Sequence, residues 1–193
     1  MSSFHLSTFD PPLEVPELVI DPLVLRPFAL GDLAMVGAAA VDPYIPSITS
    51  IPARYNPAEG RAFIERQHDR SADGHGYPFV IARAEAPTQG LGAIGLWLRE
   101  IESGRASIGY WLLSEARGQH LAAVALGGVV RFAFDVLAIP RLHLFIEPWN
   151  IASQCTAESV GFTQEALLRG WERIEDEQRD AYSYVLLRTD FRP

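Results

Sequence analysis

The residues best suited to chemistry lie in two short segments, each leading from an apolar run into a helix. The first is Ile108-Gly109-Tyr110-Trp111-Leu112, followed by Ser114-Glu115-Ala116-Arg117-Gly118-Gln119-His120-Leu121-Ala122. A strand, a short loop and a helix start form a natural anion site, because the first helical amides lack intrahelical partners and point outward; a diphosphate suits that end. Many helices nevertheless start this way and bind nothing. The second segment is Glu147-Pro148-Trp149-Asn150-Ile151-Ala152-Ser153. Asn150 suits an amide-rich ligand tail, and Ser153 has a hydroxyl proton to offer a leaving group. In the plainer reading Asn150 is a helix cap and Ser153 a first-turn residue. Glu147, at a strand end, can take a proton from an ammonium, directly or through water, or serve only as a solvated or capping carboxylate.

These segments need a scaffold, and the apolar pattern supplies one. Leu23 to Pro27 reads as a short strand, Asp32 to Ala40 as a small-residue helix, and Pro43 and Pro46 punctuate the loop after it. Asn56-Pro57-Ala58-Glu59 sets a cap, a proline at the first helical position and an acid in the first turn of a helix reaching about Arg70. Runs at Tyr77–Ala82, Ala93–Leu98 and Ala106–Leu113, separated by Pro87, Gly90 and Ser103-Gly104, predict an antiparallel meander. Leu121 to Leu137 is apolar nearly all round, so it predicts a helix pressed into the core, with Gly127-Gly128 either a close approach or simply tolerated. A strand at Arg141–Ile146, a helix from Asn150 to Val160 ended by Gly161 and a strand at Tyr182–Leu187 complete the pattern. The predicted class is α+β, a three-layer α/β arrangement with one mixed, largely antiparallel sheet flanked by helices, and ligands sitting where strands diverge. Residues 1–16, rich in proline, predict an extended tail laid over a single domain at 17–193.

Together the two segments resemble the GNAT superfamily of N-acetyltransferases, and within it the RimJ/RimL-like ribosomal-protein branch. The resemblance begins at Leu25-Arg26-Pro27 with Asp32, continues through Ile108 to Leu112 and Glu115-Ala116-Arg117-Gly118, and ends with Asn150, Ser153, Glu158, Gly161-Phe162 and Tyr184. It implies the GNAT fold and an acetyl-CoA or other acyl-CoA co-substrate, with no metal. The pantetheine arm would pair with strand backbone at Trp111, Leu112 and Leu113. The pyrophosphate would meet the amides of Gly118, Gln119, His120, Leu121 and Ala122, in the loop begun by Arg117, and Asn150 would bond the amide-rich tail. An amine, on a protein N-terminus or a small molecule, would attack the thioester directly while backbone amides polarise the carbonyl. Ser153 matches the serine that some relatives use as acid toward the departing thiolate, and Glu147 is the candidate base. A homodimer is also in keeping with the resemblance.

Two positions depart from that pattern. His120 stands where the family's pyrophosphate loop has glycine; its side chain could crowd the phosphates, although a helix start does not by itself demand glycine. Ser107 replaces a glutamate aimed at the acceptor amine, which leaves Glu147 or Glu100 to serve. Both departures also fit a non-catalytic acyl-CoA-binding or interaction domain.

The 193 residues suit one domain, 48% apolar content supplies its core, and a formal charge of -8 argues against nucleic acid and favours an amine or basic peptide, unless it serves only solubility. The single cysteine, Cys155, excludes an internal disulfide framework, and His5, His68, His75 and His143 show no metal-ligand spacing. With no apolar run long enough for a membrane span and no basic-then-apolar leader, the expected location is cytoplasmic. Trp149 and Trp171 are expected to pack in preference to lining an acceptor pocket.

Overall fold

Eight strands form one mixed sheet in the computed structural model, which describes residues 4–174 and 176–192. They are β1 (Leu18–Ile20), β2 (Leu23–Arg26), β3 (Gly76–Arg83), β4 (Ala86–Trp97), β5 (Arg105–Leu112), β6 (Arg141–Ile146), β7 (Thr163–Ile174) and β8 (Glu177–Leu187). The spatial order is β1-β2-β3-β4-β5-β6-β8-β7, and every neighbouring pair is antiparallel except β5 and β6. The class read from the sequence is therefore the class observed.

Alternation along the strands splits the core in two. Phe79, Ile81, Ile94, Ile108, Leu112 and Leu144 point to one face, where α4 (Leu121–Arg131) and α5 (Ile151–Ser159) cover them. Val80, Ala93 and Trp111 point to the other, against α1 (Leu33–Ala40) and α3 (Pro57–Ala72), with the single turn α2 (Ile45–Ile48) between these helices. Asn56 caps α3 as predicted, its side chain accepting from the amides of Ala58 and Glu59 at 2.9 and 3.0 Å. The buried helix continues from α4 into a π-helical turn at Phe132–Val136. Of its glycine pair, Gly128 marks a close approach, since a Cβ there would overlap Ile20 of β1, whereas Gly127 faces open space.

Several elements differ from the sequence reading. Pro87 and Gly90 lie inside β4, and the turn is at 84–85; register shifts between Ile81 and Arg83 absorb the extra residues, and such irregular pairing accommodates a proline. The N-terminal segment is not uniformly extended, because Leu6–Phe9 makes a 3-10 turn, and Phe9 and Leu13 are buried in the core. β1 and β7 went unpredicted: β1 has three residues, and β7 is exposed along almost its whole length, with no apolar alternation to read. Among the described residues no helix is long and apolar enough to cross a membrane.

Candidate active site

The parallel pairing of β5 and β6 is short. Only Arg105, Ala106 and Ser107 bridge to Arg141, Leu142 and His143; beyond them the strands part, and their inner edges open onto a cavity of about 890 Å³. Tyr110, Trp111, Phe145, Glu147, Asn150 and Ser153 all line it. The two segments singled out in the sequence thus meet on opposite sides of one gap.

Strand alternation decides which backbone groups face that gap. The Leu113 amide donates to the Leu91 carbonyl at 2.9 Å, so Leu113 and, two residues back, Trp111 turn their amides toward β4. Tyr110 and Leu112 present theirs to the gap. Of the three residues expected to pair with a pantetheine arm, Leu112 faces the opening, while the Leu113 carbonyl is further occupied by the Ala116 amide. Trp111 contributes its buried side chain to the wall of the cavity.

At the start of α4 the amides of Gly118, Gln119, His120, Leu121 and Ala122 donate to no protein acceptor among the described residues. Gly118 (φ 73°) and His120 (φ 59°) are both left-handed, a geometry that curls successive amides into an anion-binding concavity. A pyrophosphate fits this turn, which Gln119 braces by donating to the Glu115 carbonyl at 2.7 Å while it accepts from Arg83 at 2.6 Å. Arg117, expected beside the phosphates, instead donates to the Leu112 carbonyl (3.0 Å) and pairs with Asp42 (2.6 Å). Asp42 also accepts from the amides of Tyr44 and Ile45; burial opposes its charge, yet these donors and Arg117 hold its carboxyl below the ordinary value. Arg117 therefore ties the turn to the loop carrying Tyr44.

The left-handed backbone at His120 corrects the reading that this helix start does not demand glycine. A residue with a Cβ costs about 1–2 kcal/mol there, of which glycine's greater unfolded-state freedom returns part. His120→Gly is expected to raise the melting temperature by roughly 2–4 °C, equivalent to about 1 kcal/mol, and to tighten CoA binding measured by calorimetry. Unchanged affinity with a raised melting temperature would show that the imidazole does not crowd the phosphates.

On the acceptor side Glu147 is 8% exposed. The Tyr44 hydroxyl donates to one of its oxygens at 2.6 Å and Arg179 pairs with the other at 3.2 Å. Burial and the adjacent carboxylate push the Tyr44 hydroxyl well above its usual range, so Tyr44 stays protonated and acts as a donor. Asn150 caps α5 by accepting from the Ser153 amide at 3.1 Å, which is the plainer of its two roles. The Ser153 side chain is a hydrogen-bond partner of Tyr110, whose own hydroxyl also reaches the Ser153 carbonyl at 3.4 Å. Burial raises the Tyr110 pKa and keeps that hydroxyl protonated as well.

Glu100 does not join the site; it lies outside the cavity, paired with Arg105 at 3.0 Å. Ser107 does line it. Sequence reasoning missed Tyr44, Glu172 and Arg179: Tyr44 sits in a proline-punctuated loop whose path periodicity does not reveal, and the other two lie on β7 and the early part of β8, which carry no apolar pattern. Trp149 and Trp171 are about half exposed, at 55% and 50%, contrary to the expected packing. Each rests against an aromatic neighbour, Trp149 on Tyr44 and Trp171 on Phe145, both at 4.8 Å between ring centroids. His143 is buried in β6, where desolvation and then Arg141 lower its pKa.

A sheet split at its one parallel pair, with a ring of open amides at the following helix and a chamber beyond, defines an acyl-CoA-dependent transferase. The family comparison agrees: the acetyltransferase (GNAT) domain matches residues 22–163, and the chain belongs to that family. It is an acetyl-CoA-dependent N-acetyltransferase, and a non-catalytic role is not favoured. It is 28% identical over 174 residues to p20 of Bacillus licheniformis, an uncharacterised N-acetyltransferase, covering 90% of this chain and 97% of that one. Its fold is similar to that of Mycobacterium smegmatis RimJ in complex with CoA-disulfide, with TM-score 0.77, 21% identity and coverage of 91% and 88% of the two chains. It is also similar to RimL, a ribosomal L7/L12 alpha-N-protein acetyltransferase, in complex with coenzyme A, with TM-score 0.73, 18% identity and coverage of 89% and 98%.

Proposed function

We propose that this protein acetylates the α-amino group of a protein N-terminus in the cytoplasm, with acetyl-CoA as donor. The observation that carries the reading is the chamber itself, lined along one opening between β5 and β6 by a buried carboxylate, Glu147, and by the Ser153 hydroxyl beside Tyr110. Likeness to RimL, whose acceptor is a protein α-amine, supports it.

Acetyl-CoA, when bound, supplies an activated thioester. Leu112 and Tyr110 hold its arm through their backbone, and the amides of residues 118–122 hold its diphosphate. Glu147 takes the proton that an ammonium must lose before it can attack, through water where the reach requires it. The amine nitrogen bonds to the thioester carbon, the C–S bond breaks, and Ser153 gives its proton to the departing thiolate and recovers one from the nitrogen as it becomes an amide, with the protonated Tyr110 hydroxyl next to it. No covalent link to Cys155, an exposed residue, is needed.

Thiol release from acetyl-CoA, with N-terminal peptides, spermidine and other small amines as acceptors, tests the reading. All sixteen cationic side chains are arginines, so no side-chain lysine of the enzyme competes as acceptor. Ser153→Ala is expected to lower kcat on peptides about 10- to 100-fold with little change in acceptor KM, the low end of what a positioned acid contributes. A larger fall in Tyr110→Phe than in Ser153→Ala would move the acid role to Tyr110. Turnover of small amines alone would overturn the N-terminal acceptor. Native mass spectrometry of the purified chain reads both a retained acyl-CoA and a homodimer.

A further inference from the structure

The acceptor chamber carries opposite charges at its two ends. On the β6–β8 side it is lined by Glu147, Glu172 and Asp180, with Arg179 paired to Glu147; at the far end stand Arg70 and Arg99. The Arg70 guanidinium lies 5.1 Å over the Trp97 ring, and Arg66 stands behind it. Among the described residues none of these three arginines pairs with a carboxylate. Arg66 and Arg70 donate only to neutral oxygens, those of Ser50 and Gln67. Burial first, then the neighbouring charges of Arg66 and Arg99, lower the Arg70 pKa, as expected where positive charge gathers without compensation.

Trp97, over which Arg70 lies, pairs with Ser107 on β5, three residues before Tyr110, whose side chain meets Ser153 on the other face of the sheet. Along the strand that separation is about 10 Å, which the first few residues of an extended peptide can cover.

We propose that the acceptor is a peptide N-terminus with an acidic side chain within its first few residues, its α-amine held at the Glu147 end of the chamber and its carboxylate at Arg70 and Arg99. This rests on the N-terminal reading above and names the sequence class it selects. It also reverses the partner that net charge suggests: the chain as a whole is acidic, but this end of the chamber would repel a basic peptide or the second cation of a polyamine.

The test is the kcat/KM of the full chain on N-terminal heptapeptides identical except for Glu, Gln or Lys at one of positions 2 to 4, with spermidine alongside. The Glu peptide is expected to exceed the Lys peptide by about tenfold or more, with Gln between, as for a charge-assisted contact. Arg70→Gln and Arg99→Gln should each shrink that preference severalfold, chiefly through a raised KM for the Glu peptide. Arg99 is exposed, so Arg99→Gln carries the test even where losing the Arg70 contact with Trp97 disturbs folding. Equal or better turnover of the Lys peptide or of spermidine would overturn the proposal, as would a Glu preference that survives in both variants. Absence of turnover on every peptide while acetyl-CoA still binds would remove the N-terminal reading as well, which separates the two failures.

Discussion

Glu147→Gln is expected to cut kcat/KM on a peptide acceptor by about 10²- to 10³-fold at pH 7, and by much less at pH 9. The sign follows from the acceptor. An N-terminal amine with a pKa near 8 is mostly ammonium at pH 7 and mostly amine at pH 9, so a proton acceptor is needed only at the lower pH. Glutamine preserves the shape of the site and still accepts from the Tyr44 hydroxyl, but it cannot take up a proton or neutralise Arg179. The stability cost should be small, because Arg179 is 35% exposed and water can replace part of the lost pairing. A pH–rate profile on the wild type and the variant checks this. A loss of equal size at every pH would make Glu147 a positioning residue that holds Tyr44 in place.

The second large effect concerns stability. Asp32 is 1% exposed, and its carboxylate receives both terminal nitrogens of Arg26, at 2.6 and 2.9 Å, and the Ala29 amide at 2.8 Å. Arg26 in turn spends its Nε on the Pro87 carbonyl at 2.6 Å, so one pair fastens β2, the start of α1 and the irregular part of β4. The carboxylate raises the Arg26 pKa above its already high value. Asp32→Ala leaves the Arg26 guanidinium, only 13% exposed, without its counter-charge. The expected loss is about 3 kcal/mol, or a fall of roughly 6–12 °C in melting temperature for a chain of this size. Asp32→Asn, which keeps an acceptor for Arg26 and the Ala29 amide, should lose about half as much. A loss near zero for Asp32→Ala would show that the Pro27 and Pro87 carbonyls suffice for Arg26.

Sequence made legible those parts of the fold where burial imposes a period. The meander from β3 to β5, the all-apolar α4 and the capped α3 and α5 each expose a regular apolar face, and the reading located them closely. It failed where the chain is exposed or irregular. β7 carries charge along a solvated edge, and proline in β4 resembles a turn until its bulged pairing with β3 is seen. The same division runs through the site. Ser153, Asn150 and the amides of residues 118–122 were legible because they sit at helix starts, where spacing from the cap fixes geometry. Tyr44, Glu172, Arg179 and the Arg70–Arg99 end come together only through tertiary packing, from a loop, two hairpin strands and the far end of α3. The conformation of His120 was hidden for another reason: residue type does not announce a left-handed backbone in a residue other than glycine.

The three-residue ladder between β5 and β6 also makes the sheet two rigid leaves, β1–β5 and β6–β8, joined at a hinge no longer than Arg105–Ser107 against Arg141–His143. Glu147 and Ser153 follow the second leaf and Arg70 packs on the first, so that hinge sets the span between the groups that act on an acceptor's amine and those that face its tail. Ser107 and His143 are partners in the final rung, and the buried Nδ1 of His143 is left without a hydrogen bond there. A substitution at either residue is therefore expected to act as a change of gauge, altering which acceptor lengths the chamber measures.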